Sequence, residues 1–236
     1  MLDSNEGMVP RVATYLFHNI ENSTQNARVK ISIIDLYREQ IQDLLDDAER
    51  PPSLRVRESP AAGIYIENLI KRQISSGNEC KQAVEEALQR KNIQQTKMSY
   101  HSSQYHIVVT FYVEFLDTGG SISSHSSITL AKLAGSERLN KDTVGTVLQE
   151  GFVIHHSLRA LNHCTHAILN RDKFVPYRDS KLSRILQSSL KEKNVSWIFL
   201  VSPFSQSENV RATLARANNI TKLSKQQIAH LKSANG

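Results

Sequence analysis

The residues best placed to do chemistry lie in Leu130-Ala-Lys-Leu-Ala-Gly-Ser-Glu-Arg138. An apolar run through Ile128 and Leu130 breaks at Gly135 into a polar loop that holds Glu137 and Arg138. A strand ending in a glycine and a carboxylate can deliver polar groups to a phosphate at a sheet edge. Other candidates are poorer. His155, His156, His163 and His166 share one predicted helix, but a metal needs a tight pair with a carboxylate and an outer shell of partners. No such companion stands out, so the sequence predicts partly exposed histidines and no metal. The two cysteines, Cys80 and Cys164, form no spaced motif, which indicates neither a disulfide framework nor a zinc site and fits a reducing, intracellular setting. Between Arg171 and Lys193, seven basic residues accompany three acidic ones, a net of +4. Within that segment Arg178, Lys181 and Arg184 are spaced by three and should line one side of a helical turn.

These groups need elements to hold them. Val12, Leu16, Phe17 and Ile20 recur at helical spacing, which predicts a helix from Val12 to Ile20. Val29 to Tyr37 reads as a strand, Arg38 to Leu45 as a short turn of helix, and Leu54 to Arg57 and Gly63 to Ile66 as short strands. Ser76-Gly-Asn-Glu79 has the spacing of a capping box, with the serine taking one backbone amide and the glutamate reaching back to another. It opens a helix whose Cys80, Val84, Ala87 and Leu88 share one face. Ile107 to Phe115 and Ser126 to Leu133 are strands joined through the turn at Thr118-Gly-Gly-Ser121, and this hairpin leads into the polar loop. The longest helix should run from about Leu148 to Leu169, with Ile154, Leu158, Leu161, Thr165 and Ile168 inward. A short amphipathic helix carries Leu182, Ile185, Leu186 and Leu190. Val195 to Val201 reads as a buried strand, and a last helix carries Val210, Leu214 and Ile220. Strands alternating with helices, plus one central hairpin, make this α/β with a mixed sheet.

Composition bounds the rest. At 39% hydrophobic and 22% charged residues, the 236-residue chain can build a core as one large domain or as a domain plus a short appendage. No apolar run approaches the ~18 residues that span a membrane, and no leader precedes the first element. The net charge of +6, from 29 basic and 23 acidic residues, suits an acidic partner such as nucleic acid, an anionic membrane or an acidic protein polymer, and equally a solvated basic surface.

Four landmarks occur in an order that resembles the motor domains of kinesins. Ile34-Asp-Leu-Tyr-Arg-Glu-Gln-Ile-Gln-Asp-Leu-Leu45 is similar to that family's Glu-Ile-Tyr-Asn-Glu-x-Ile-x-Asp-Leu-Leu. His101-Ser-Ser-Gln-Tyr-His106 resembles switch I, Leu130 to Glu137 resembles switch II, and Val175-Pro-Tyr-Arg-Asp-Ser-Lys-Leu-Ser-Arg184 follows a family motif almost letter for letter. The resemblance runs from about Gly7 to Lys222. It implies a motor-homology domain over 1–222, a polar, helix-compatible tail over 223–236, and a three-layer, P-loop-NTPase-like mixed sheet flanked by helices. The chain is expected to lack the N-terminal strands and the P-loop, since Gly7-Met-Val-Pro-Arg11 resembles the segment that follows them.

The departures concern the nucleotide. None of the nine glycines precedes a lysine, so the P-loop pattern that wraps phosphates is missing. Ser102, Ser103, His106, Gly135 and Glu137 match nucleotide-site positions of the family and read as remnants. Three substitutions would disable the site. Lys132 replaces the switch II aspartate that holds magnesium through water, Gln104 replaces the switch I arginine that pairs with the glutamate, and Ser99 replaces an asparagine. Lys132 could fill the vacated cation position and pair with a nearby carboxylate, or extend to solvent.

The resemblance places Arg178, Lys181 and Arg184 on the microtubule face. A solvated face with a structural Arg178–Asp179 pairing is the blander alternative. The expected protein is a cytoplasmic, cytoskeletal, microtubule-binding domain without motor ATPase, with no catalytic residue and no cofactor, although the family uses ATP and magnesium. Tubulin is the expected partner, a further kinesin chain a possible one, and neither nucleic acid nor membrane is expected. The alternatives are an incomplete chain of a working motor, a module that partners an intact kinesin, and a decaying paralogue whose lost strands leave sheet edges uncovered.

Overall fold

The structure, a computed structural model, describes residues 1–2, 7–49, 51–60, 63–98, 105–135, 146–191, 195–201, 210–211, 213–218 and 220–221, with backbone only over 92–98 and 151–155 and from 146 to 150. The chain divides into two compact units, one of residues 1–55 and 66–133, the other of 56–65 and 134–236.

The first unit is built on a twelve-residue strand, β1 (Asn26–Tyr37), and its partner β6 (His106–Leu116). They pair antiparallel from Asn26 opposite Leu116 to Leu36 opposite His106. On the far side of β6 runs β7 (Ile122–Lys132). β2 (Gln40–Asp43) folds back on β1, and β5 (Arg72–Ile74) pairs with its Val29–Ile31 segment. Because side chains alternate across a strand, Val29, Ile31 and Ile33 share a face with Ile107, Val109 and Phe111. Two helices cover that face, α1 (Met8–Glu21) and α2 (Gly77–Met98). Val9, Ala13 and Phe17 from α1 and Cys80, Ala83, Val84 and Ala87 from α2 complete one buried cluster. Gly77 allows the helices their approach, since a Cβ there would lie 3.0 Å from Thr14 Oγ1. The opposite sheet face buries Ile34, Leu36 and Val108 at one end and is polar at the other. Lys30 Nζ donates to Glu114 Oε1 at 2.6 Å, and the Ser32 and Tyr112 hydroxyls lie 3.3 Å apart.

Several local readings change. Arg38 to Leu45 is not helical: Arg38 and Glu39 adopt positive φ (49° and 61°), and β2 returns antiparallel with Gln40 opposite Tyr37. Two successive left-handed residues give a two-residue hairpin loop whose twist matches the strands it joins. The alternation Gln40-Ile-Gln-Asp43 carried that signal, and the spacing of Ile41, Leu44 and Leu45 masked it. At the start of α2, Ser76 Oγ accepts from Glu79 N as expected, but the Glu79 carboxylate takes the Ser75 amide and hydroxyl, at 2.8 and 2.6 Å. β5 had no sequence signal beyond three residues.

In the second unit, α3 (Thr146–Asn170) buries Ser157, Ala160, Leu161, Cys164, Thr165 and Ala167. The expected amphipathic helix divides into α4 (Lys181–Ile185) and α5 (Gln187–Lys191). A two-stranded sheet, β3 (Arg55–Ser59) with β4 (Gly63–Glu67), matches the expected short strands. Val195–Val201 forms no strand, and Ile198 and Leu200 are exposed. Strand propensity is realised only where a neighbour offers its hydrogen bonds, and none of the described pairings includes this segment. Trp197 and Phe199 stack on each other instead, with centroids 6.5 Å apart.

Phe111, fully buried at the centre of the first unit, should be the most costly core truncation there. Phe111→Ala is expected to lose about 3–5 kcal/mol in urea unfolding, with an unchanged denaturant slope.

Candidate functional site

Register brings three charged or apolar side chains into one row at the end of the sheet. Asp35 lies opposite Ile107, and Ile107 lies opposite Lys132, so all three project from the face that α1 and α2 cover. From α2, Lys91 reaches the same region with 6% of its surface exposed. Its Nζ sits 5.3 Å from the centroid of the Tyr105 ring, which stacks on Tyr37 at 4.8 Å. Arg38 lies over Tyr37 at 5.1 Å.

Burial sets the electrostatics here. It pushes the Asp35 carboxyl up to about 6, against the pull of the Lys91 charge. It also lowers the Lys91 ammonium, with Lys132 adding to the effect and Asp35 opposing it. His106 falls to about 4, first from burial and then from Lys132. Lys91 thus faces the Asp35 carboxylate, while Lys132 acts on both Lys91 and His106. A magnesium ion needs several hard oxygen ligands in near-octahedral geometry, and the described residues at this strand end do not supply them.

Of the residues singled out from sequence, His106 and Lys132 are brought together at this end, Lys132 half-buried on β7. Gly135 is half-buried in the second unit. Ser99, Ser102, Ser103, Gln104 and Glu137 lie outside the described residues. Sequence reasoning missed Asp35 and Lys91, although both left a trace. Asp35 interrupts the apolar run Ile33-Ile34-Asp35-Leu36, and Lys91 continues the stripe of Cys80, Val84 and Ala87.

The second candidate surface belongs to the second unit. Tyr177–Asp179 forms a 3-10 turn, and Ser180 is extended, at φ −145° and ψ 158°. Ser180 then caps α4 by accepting from Ser183 N at 3.1 Å, while Ser183 Oγ donates to the Tyr177 carbonyl at 2.9 Å. Leu182 and Ser183 are fully buried, which fixes the helix that carries Arg184. The extended Ser180 means that Arg178 and Lys181 do not share a helix, contrary to the spacing argument. A carboxylate gathers the arginines instead. Glu58 Oε2, on β3, lies 3.3 Å from Arg178 Nη2 and 3.6 Å from Arg184 Nη2. Arg178 is largely exposed, whereas Arg184 and Lys181 are half-buried. Burial raises the Cys164 thiol beneath this turn to about 11, with Asp179 adding to the rise and a Ser183 hydrogen bond opposing it.

A family model of the kinesin motor domain matches residues 1–223. The chain belongs to the kinesin motor family. Kinesin-related protein 5 of Dictyostelium discoideum is 33% identical over 214 residues, covering 89% of this chain and 21% of that protein. Chromosome-associated kinesin KIF4 of Gallus gallus is 34% identical over 238 residues, covering 97% of this chain and 19% of that one. A solved structure described as "Structure of a fast kinesin: Implications for ATPase mechanism and interactions with microtubules" is similar with a TM-score of 0.69 and 32% identity, over 78% of this chain and 52% of that chain. The fold is therefore the α/β kinesin fold. This chain spans about a fifth of the length of those two curated kinesins, and no described helix is long and apolar enough to cross a membrane.

The strand end makes a prediction with two opposite signs. Asp35 is more basic in the folded state, so its contribution to stability is complete below about pH 4 and is lost as pH rises through about 6. His106 is more acidic in the folded state, so its contribution is complete above about pH 6.5 and is lost as pH falls through about 4. Each is on the order of 3 kcal/mol over its full window, and in the wild type they oppose each other. Relative to wild type, Asp35→Asn should therefore make stability climb with pH between 4.5 and 7, and His106→Asn should make it decline. Urea titrations at both pH values measure the two slopes; slopes of the same sign would contradict the assignment.

Proposed function

We propose that this kinesin domain binds the acidic surface of microtubules through the rim of Arg178, Lys181 and Arg184 and carries no motor ATPase of its own. The observation that carries the second half is the charge at the β7 end. Lys132 stands where the family's magnesium-associated aspartate is expected, with Lys91 close enough to feel its charge. A lysine facing a dication at 4 Å is repelled by about 8 kcal/mol at an effective dielectric near 20.

The first half is supported by the rim itself. Val175 to Arg184 is the stretch closest to the family's motif, and its turn, cap and buried Leu182 and Ser183 hold the basic side chains in place. It acts from the cytoskeleton in this reading. A second reading, that the chain is one part of a working motor, is favoured by its covering only 52% of the solved kinesin it resembles. Lys132 weighs against that reading.

Attraction of this kind is mainly electrostatic, so it weakens as screening lengths fall from about 10 Å at 0.1 M salt toward 3 Å at 1 M. The test is co-sedimentation with microtubules in low salt, comparing wild type with the double reversal Lys181→Glu, Arg184→Glu. We expect the wild type to pellet in a salt-sensitive manner and the double variant to stay in the supernatant with an unchanged circular dichroism spectrum. A folded wild type that stays in the supernatant would refute the tubulin assignment.

A further inference from the structure

We propose that Glu58 is an internal stand-in for the acidic partner, occupying Arg178 and Arg184 until partner carboxylates displace it. The proposal rests on the polymer-binding reading above and adds to it the element that competes for the same side chains. One oxygen, Glu58 Oε2, serves both guanidinium groups, at 3.3 and 3.6 Å. Both contacts are long for charge-assisted hydrogen bonds, which favour about 2.7–2.9 Å. Arg178 keeps 77% of its side chain exposed and Glu58 keeps 43%. An exposed pair of this geometry is weak and exchangeable, as a displaceable ligand must be.

The arginines also retain capacity. Arg178 keeps most of its side chain open to solvent while contacting Glu58 through Nη2, so an incoming carboxylate can reach donors that Glu58 leaves unused. The carrier of Glu58 is suited to yielding. β3 and β4 form a two-stranded sheet outside the five-stranded one, and an isolated hairpin is marginally stable. In charge, the trio of Arg178, Arg184 and Glu58 nets +1, and neutralising Glu58 doubles that.

Glu58→Gln keeps the shape and removes the charge. Wild type and variant are compared in low salt by co-sedimentation with microtubules and by capture on immobilised polyglutamate. The variant should bind both about two- to fivefold more tightly, the range an exposed ion pair commands. The gain should vanish when Arg178→Gln and Arg184→Gln are added, as a mutant cycle on interacting groups requires. Weaker or unchanged binding to both probes would overturn the proposal and leave Glu58 as a positioning residue or a bystander. If neither protein pellets with microtubules while the variant still gains on polyglutamate, the tubulin assignment falls and the role of Glu58 stands.

Discussion

The antiparallel ladder between β1 and β6 is the constraint on which the first unit depends. Its register, from Asn26 opposite Leu116 to Leu36 opposite His106, commits every side chain on both strands to one face or the other, because a one-residue slip would turn Ile31, Ile33, Val109 and Phe111 outward. With the register fixed, α1 and α2 have one apolar surface to cover. The same register decides what stands at the end of the sheet. Asp35 falls on the covered face only because Ile31 and Ile33 do, and Lys132 joins it because β7 continues the alternation through Ile107.

A buried carboxylate facing the Lys91 ammonium is a site with its own internal balance. Desolvation raises the Asp35 carboxyl and lowers the Lys91 ammonium, so each charge is costly alone and less so together. The Lys91 ammonium also lies over the Tyr105 ring, which stacks on Tyr37. The basic turn of the second unit is packed by a different set of residues, Ser180, Leu182 and Ser183.

Most of the frame was legible from the residues, for identifiable reasons. β1, β6 and α3 are long and strongly periodic, and β-branched runs such as Ile31-Ser-Ile-Ile34 leave little choice of element. The switch-like and Val175–Arg184 motifs pointed to the kinesin family before any coordinate did. What failed was local and context-dependent. The Arg38-Glu39 turn depends on two positive φ values that no glycine or asparagine advertises. Val195–Val201 has the composition of a strand, but pairing is a property of a neighbour and not of the segment itself. Glu58 could not be linked to Arg178 from sequence at all, being 120 residues away and separated by most of the fold.

In the function proposed above, polymer binding is uncoupled from nucleotide. A ligand changes affinity elsewhere only by binding two states of the protein differently, and the proposed lysine-bearing strand end would give a magnesium nucleotide no such differential. Pelleting the chain with microtubules in the presence of magnesium-ATP, magnesium-ADP or no nucleotide measures this directly. The account predicts the same bound fraction in all three. A bound fraction that changes between ATP and ADP would contradict it.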